Sequence, residues 1–495
     1  MTEEIVIVGI GEIKDRPADP SLGLDPLDLM AAAARKAEAD SGASLLPDID
    51  AIEVIHQITW RYEDTARRLC ERLKLRPRRA AYHPGGGESP LRVLHDAALR
   101  IARGESRTAL VCGAEARSTL QKARKAGVEL PWPEKARIME HPWRVEEMLC
   151  PMARAHGVAQ PTFIYPLFEN AASHSFGLTP AEAQSESAKL WSQYSAIAAS
   201  NPYAWLQRSV SPEEISTVTA MNPLVAWPYP RLMVANPTVN LGAAVVVMAK
   251  SAAIAAGIAP AKMIHIMGGA ASKEPEDYLK RDCYHASPSQ QVVLEAAQSL
   301  NGKPFNHLEL YSCFPCVPKM ARRSLGLDEN TAFTVTGGLT FFGGPFNDYM
   351  LHATCAMVRR LREATGTGLL YGQGDFVTKH HALVLGSQPA FIPALWQEYR
   401  MDEKADAARG AVPRLINLYK GRATIETFTV IYGRESKVDR GIVILRTPEG
   451  HRTMARVPAS DARTIARLTD LLRSPIGETG VVTTADDGLL EWRLS

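Results

Sequence analysis

An internal duplication constrains the fold of this chain more than any other feature. EIVIVGIGEI (4–13) pairs with MIHIMGGAAS (263–272), DPLDLMAAAARKAEAD (25–40) with SPSQQVVLEAAQSL (287–300), and IDAIEVIH (49–56) with FNHLELYS (305–312). Each series ends in a glycine-rich turn, an amphipathic helix and a buried strand, at AYHPGGGESPLRVLHDAALRIARGESRTALVCGAEA (81–116) and GGLTFFGGPFNDYMLHATCAMVRRLREATGTGLLYGQGDF (337–376). The copies keep one order at an offset of about 260 residues, far beyond a solenoid period. Alternating strands and helices predict the α/β class, and apolar runs such as TALVCGAEA predict strands covered on both faces of a mostly parallel sheet.

The helix over 90–103 has Ser89 as its N-cap candidate, Pro90 at the first helical position and Gly104 to end it. In the second copy Asn347 is the cap candidate and Gly366 the stop. A pseudo-twofold axis would bring both helix N-termini to one cleft. Residues 117–235, rich in Pro and Trp, hold helical patterns at 180–200, a capping-box spacing at 211–215 and an apolar, aromatic run at 223–236, and read as an inserted helical subdomain. Beyond a charged linker, MDEKADAARG, residues 422–460 alternate like strands, a helix follows at 461–473, and VVTTADDGLLEWRLS closes a small β-barrel or half-barrel. The expected division is 1–255 for a first half with its insertion, 256–400 for a second half and 405–495 for an additional β domain.

With 495 residues and 46% hydrophobic content the chain can bury a large core, and 56 basic against 54 acidic residues leave no excess charge for nucleic acid or an anionic membrane. No apolar run reaches the ~18 residues of a membrane span, and MTEEIVIVGIG is unlike a secretory signal. Seven cysteines, an odd number inside helix and strand patterns, suit reduced thiols in the cytoplasm, with no structural disulfide. Cys313 and Cys316 spell Cys-x-x-Cys, but with no second pair and no nearby His they read better as buried small groups than as a metal or redox site.

The ordered set PGGGESPLRVLHDAALRIARGE…CGAEA, NPYAW (201–205), WPYPRLMVANPTVNLGAAVVV (227–247), LELYSCF (308–314), GGLTFFGGP (337–345) and YGQGDF (371–376) resembles the thiolase superfamily, most closely its sterol-carrier-type members and the thiolase-like proteins of type 1. The resemblance covers about residues 3–395, and the tail from about 405 is similar to the extra C-terminal domain of the type 1 proteins. It implies a thiolase fold of two βαβαβ halves in five α/β/α/β/α layers, and an acetyl-CoA acetyltransferase-like protein of lipid metabolism. Coenzyme A would enter as part of the substrate, with no separate cofactor and no metal. Such an enzyme is implied to use a cysteine nucleophile at a buried helix N-terminus, and this chain has Gly87 there. The second cysteine falls on Gly372, the Gly-His-Pro histidine on Gly344, and the remaining Asn or His on Tyr311, so a ping-pong route is not expected.

Tyr311 has two readings: an acid or base for retro-aldol or Claisen-type chemistry on an acyl-CoA, as the aldolase branch of the superfamily implies, or a phenol filling lost imidazole volume. Cys313 aligns with a pocket thiol. Glu88 either answers the helix dipole or acts as a base, Ser89 caps or contacts substrate, and His83 and His380 flank the glycine-rich sites. The basic clusters Arg67–Arg68, Arg76 with Arg78–Arg79, and Arg359–Arg360 either meet CoA phosphates or are solvated. Gly85, Gly86, Gly87, Gly343, Gly344 and Gly374 either present N–H groups to a ligand oxygen or mark tight turns. The alternative function is a catalytically silent CoA-binding or scaffold protein, monomer or homodimer, whose C-terminal domain recruits a protein partner.

Overall fold

In the computed structural model, which describes residues 3–142, 145–389 and 398–495, the duplicated pattern becomes two half-sheets. The first holds β1 (Ile5–Lys14), β2 (Ala51–Val54), β3 (Arg79–Tyr82) and β4 (Thr108–Ala116). The inserted region adds the short strands β5 (Leu224–Ala226) and β6 (Tyr229–Pro230), and the half is completed by β7 (Asn240–Ala249). The second half holds β8 (Ile264–Lys273), β9 (His307–Leu310), β10 (Thr367–Gly374) and β11 (Lys379–Gly386). The strand order is β3-β2-β4-β7-β1-β8-β11-β10-β9. β1 and β8 meet edge to edge over only Val6–His265 and Ile7–Ile264. The sheet is mixed rather than mostly parallel, because β7 and β11 run antiparallel to both neighbours. The segments 143–144 and 390–397, the latter inside the expected second half, lie outside the described residues, as do Met1 and Thr2 of the acidic start.

Two helices form the central layer. Ser89–Ala102 and Tyr349–Glu363 each pack on strands of both halves and on each other, whereas Pro26–Ser41 covers β1, β4 and β7 from outside and Pro288–Asn301 covers β8, β10 and β11. The result is the five-layered α/β/α/β/α core. Both outer helices are fixed at their N-termini, Asp25 accepting from the Asp28 N–H and Ser287 from the Gln290 N–H.

Residues beyond 420 form β12 (Gly421–Tyr432), β13 (Val438–Arg446), β14 (Arg452–Pro458), β15 (Thr479–Thr484) and β16 (Leu490–Leu494). These pair around a closed ring, β12-β13-β14-β16-β15 and back to β12, so the β-barrel reading of the sequence holds. Its core of Phe428, Val443, Leu445, Val457 and Trp492 is capped by a helix at Ala462–Leu468, shorter than the expected 461–473. That helix stops early because the Arg467 guanidinium turns to the carbonyls of Arg473 and Ser474. The inserted region is helical at Pro161–Ser175 and Pro180–Ser200, but its aromatic run forms the β5–β6 hairpin instead and joins the barrel sheet through Ala226 and Ile431.

Candidate active site

The N-termini of the two central helices meet as the duplication predicts, although the predicted caps do not form. Ser89 is the first helical residue, fully buried, and its hydroxyl has no partner among the described residues; Glu88 occupies the cap position without a side-chain cap bond. Asn347 does not cap its helix either, and the helix ends at Glu363, before Gly366. Instead Asn347 Oδ1 accepts the Gly86 N–H at 2.9 Å, and its Nδ2 donates to the His56 carbonyl at 3.2 Å. One amide therefore ties the two glycine-rich turns together. That use of Gly86 removes its N–H from any ligand, and the Gly344 N–H is likewise spent on the Asn236 carbonyl at 2.8 Å.

Gly87 lies against the end of β10. A Cβ there would collide with the Gln373 carbonyl oxygen and the Tyr311 hydroxyl, with the Tyr311 ring carbon at 2.6 Å. The Tyr311 hydroxyl thus occupies the space into which a side chain at position 87 would project. The Glu88 carboxyl fills the neighbouring space, where a Cβ at Gly86 or at Gly374 would collide with it. Gly372 packs on the Glu88 backbone, its Cβ position 3.0 Å from Glu88 Cα, whereas a Cβ at Gly344 would have nothing nearer than 3.5 Å. Gly343, at φ 117°, faces Val239.

Electrostatics keep this centre neutral. Burial, then the charge of Asp375, raises the Glu88 carboxyl above its usual range. Burial, then Cys313 and Glu88, holds the Tyr311 phenol well above 10. Burial also pushes the Cys313 thiol up to about 12, and its Sγ lies 4.0 Å from Gln373 Oε1. A thiol in that state is neither nucleophile nor base near pH 7. Sequence reading did not single out Tyr165 of the inserted region, whose hydroxyl donates to the Asp375 carbonyl at 2.6 Å and approaches Gln373 Oε1 at 3.0 Å. Nor did it find the Asp375–Lys379 ion pair at 2.7 Å, which sets the local charge.

His380 and His83 do not join Glu88 and Tyr311. His380 Nδ1 lies 2.8 Å from the Tyr371 hydroxyl and its Nε2 3.3 Å from Ser287 Oγ, in a network that continues from Ser287 to Glu274 at 2.6 Å. Burial pushes it down to about 3, so it stays neutral. His381, on the opposite face of β11, meets His95 at 3.1 Å. His83 pairs with Glu53 at 2.6 Å. Cys316 is buried at its helix start with Sγ 3.7 Å from the Tyr165 carbonyl, and all seven cysteines are free. Among the described residues no group of three His, Cys, Asp or Glu is placed to hold a metal ion. Of the basic clusters, Arg67 pairs with Asp64 and Glu71, Arg79 with Glu53, Arg359 with Glu12 and Arg360 with Glu363. A surface cavity of about 370 Å³ lies apart from the glycine-rich turns, beside Gly23, Asp25, Arg72 and Trp132.

Asp348 stands in the second copy where Glu88 stands in the first, at the N-cap position of its central helix, and lies against Gly113 of β4 much as Glu88 lies against Gly372 and Gly374 of β10. Asp348 is neutralised differently. His352 Nδ1 is 2.7 Å from Glu12 and its Nε2 3.3 Å from Asp348, an ion contact without hydrogen-bond geometry, and Arg359 pairs with Glu12 at 2.6 Å. Burial works against the imidazolium, but Asp348 and Glu12 together raise His352 to about 9. A folded value above the unfolded ~6.5 means stabilisation that is complete below pH ~6.5 and lost as pH rises through 9. Urea midpoints are expected to fall between pH 6 and pH 9.5 by the equivalent of about 3 kcal/mol, and His352→Asn is expected to abolish that slope. An unchanged slope in the variant would remove His352 as its source.

Residues 404–487 match the model of the thiolase-like protein type 1 additional C-terminal domain. Over 100% of both chains the structure is similar to a monomeric SCP2-thiolase like protein type 1 from Mycobacterium smegmatis, with 28% identity and a TM-score of 0.84. It is also similar in fold to acetyl-CoA acetyltransferase from Syntrophomonas wolfei (15% identity, 78% of this chain and 100% of that one, TM-score 0.55). Human mitochondrial 3-ketoacyl-CoA thiolase in complex with CoA is a further similar fold (14% identity, 78% and 98%, TM-score 0.56). No curated protein sequence matches. Among the described residues no helix is long and apolar enough to cross a membrane. The duplicated halves, the two central helices and the appended barrel together give this chain the fold of a thiolase-like protein with an additional C-terminal domain.

Proposed function

We propose that this protein binds an acyl-CoA thioester and acts on it without an acyl-enzyme. The observation that carries the reading is the Tyr311 hydroxyl seated on Gly87, in the space a nucleophilic side chain would need. With Gly87, Gly344 and Gly372 at the positions of the thiolase set and Cys313 held as a neutral thiol, the thiolase route has no thiolate nucleophile. Its remaining chemistry is proton transfer. In a retro-aldol step Glu88, as carboxylate, takes the proton of a β-hydroxyl, the Cα–Cβ bond breaks with its electron pair moving into the thioester enolate, and Tyr311 Oη returns a proton to Cα. The raised position of Glu88 makes its carboxylate a stronger base than an exposed one. Seven free cysteines, five of them buried, support a reducing cytoplasmic setting, and we assign the chain a monomeric state after its monomeric type 1 relative.

Calorimetric titration with CoA, acetyl-CoA and a long-chain acyl-CoA, followed by intact-mass measurement, tests this. Saturable binding with no acyl adduct is the expected result; an adduct would overturn it. Tyr311→Phe is expected to lower any C–C cleavage turnover by about 100-fold or more while leaving thioester affinity unchanged. Equal turnover in the variant would exclude Tyr311 as the acid. Close packing of the centre, with Glu88, Ser89, Tyr311 and Cys313 all buried, favours a second reading. In that reading the chain is a binding or scaffold protein whose C-terminal barrel recruits a partner, and absence of heat with all three ligands would select it.

A further inference from the structure

Three cations gather at one place outside the arginine clusters of the sequence. Lys14 and Arg16 at the end of β1, with Lys36 on the helix Pro26–Ser41, converge on the loop 201–207, and none of the three has a carboxylate partner among the described residues. Lys14 Nζ donates to the Ala204 carbonyl at 3.0 Å and to Gln207 Oε1 at 2.8 Å. Arg16 donates to the Trp205 carbonyl and lies 4.0 Å over the Trp205 ring. Lys36 donates to the Glu12 carbonyl at 3.1 Å and sits 5.9 Å from the Tyr203 ring, whose other cation neighbour is Arg359 at 5.1 Å. Carbonyl oxygens hold these groups in place without neutralising them. The acids nearby are otherwise engaged: Glu12 is buried with His352 and Arg359, Asp15 accepts the Leu24 N–H at 3.1 Å, and Asp40 pairs with Lys262 and Arg362. Burial, then the charge of Arg16, pulls Lys14 below its usual range, as an uncompensated pair of cations requires.

We propose that Lys14, Arg16 and Lys36, beside the half-buried rings of Tyr203 and Trp205, form a binding site for the phosphates of a nucleotide-type ligand. Three fixed cations with spare N–H donors match phosphate oxygens, and adjacent aromatic rings match a nucleobase. The site also connects to the candidate centre. The Trp205 N–H donates to the Phe342 carbonyl at 2.8 Å, the Phe342 ring lies 6.0 Å from Tyr349, and Tyr349 lies 5.8 Å from Tyr311. On the acyl-CoA reading, on which this assignment of the ligand rests, the site takes the nucleotide end of CoA.

The test is calorimetric titration of the full chain with inorganic pyrophosphate, ADP and CoA, comparing wild type with Lys14→Gln/Arg16→Gln and with Lys125→Gln as a charge control on an exposed helix. The double variant is expected to weaken all three ligands by about tenfold or more, since each lost charge-assisted hydrogen bond is worth about tenfold in affinity, with Lys125→Gln unchanged. Arg16→Lys, which keeps the charge, is expected to retain most of the binding, and thermal melting identifies any variant that fails to fold. Pyrophosphate and ADP binding lost in the double variant, with no binding of CoA to wild type, would keep the phosphate site and defeat the acyl-CoA reading. CoA binding equally well to wild type and double variant would do the reverse and overturn the site.

Discussion

Gly87→Ala is expected to cost about 3 kcal/mol or more, at or above the usual upper range for overpacking a buried position, and Gly87→Cys is expected to fold no better and to form no acyl-enzyme. Two groups stand in the way of the new Cβ. The Tyr311 hydroxyl belongs to a side chain, but the Gln373 oxygen belongs to the backbone of β10, which pairs along its length with β11 and cannot withdraw without opening the sheet. Removing the first obstacle in Gly87→Ala/Tyr311→Ala should therefore recover only part of the loss. The urea midpoints of the two single variants and the double variant give that coupling directly. A Gly87→Cys protein as stable as wild type that accumulates an acyl adduct from acetyl-CoA would show that the centre retains room for a nucleophile, and would overturn the account given for Tyr311.

What the sequence revealed of this site and what it hid divide along the range of the interactions. Apolar runs such as TALVCGAEA and the order of the duplicated segments report local pairing and burial, so the half-sheets, the central helices and the barrel could be read directly. The antiparallel strand β7 lay inside a quoted motif, yet nothing local marks its direction. Glu88 and Ser89 are adjacent and both buried, which spacing alone cannot say; the place of the carboxylate is set by the space that Gly86 and Gly374 leave for it. Asn347 looked like a cap because it precedes a helix, but its partners, Gly86 and His56, are supplied by the other half of the chain. The β5–β6 hairpin escaped notice because strands of three and two residues carry no alternation. It pairs there because the barrel, appended some two hundred residues later, leaves Ile431 of β12 beyond the stretch Gly421–Thr424 that pairs with β15.

Arg452→Ala is expected to destabilise the protein by about 3 to 5 kcal/mol, the usual effect of breaking a buried charge pair from one side. Arg452 lies on β14 of the barrel and is fully buried. Its guanidinium donates to Glu426 at 2.8 and 2.6 Å, to the carbonyl of Leu279 at 2.8 Å, to that of Arg281, and to that of Asp282 at 3.3 Å, and it lies 4.9 Å over the Tyr284 ring. Glu426 belongs to the barrel, whereas residues 279–284 belong to the second half of the core, so this side chain ties the two together. Its removal leaves Glu426 with Arg446, at 2.7 Å, as its cation among the described residues, and strands the carbonyls of Leu279 and Arg281, while that of Asp282 keeps Arg446 at 3.5 Å. Lysine offers one point charge and no planar fork, so Arg452→Lys should recover little. Because the lost contacts lie between the barrel and the core, the barrel should also become separable: limited proteolysis near the linker is expected to release it from the variant well before it does so from wild type. Release at the same rate, with an unchanged urea midpoint, would mean that the β5–β6 hairpin and the inserted helices carry that interface without Arg452.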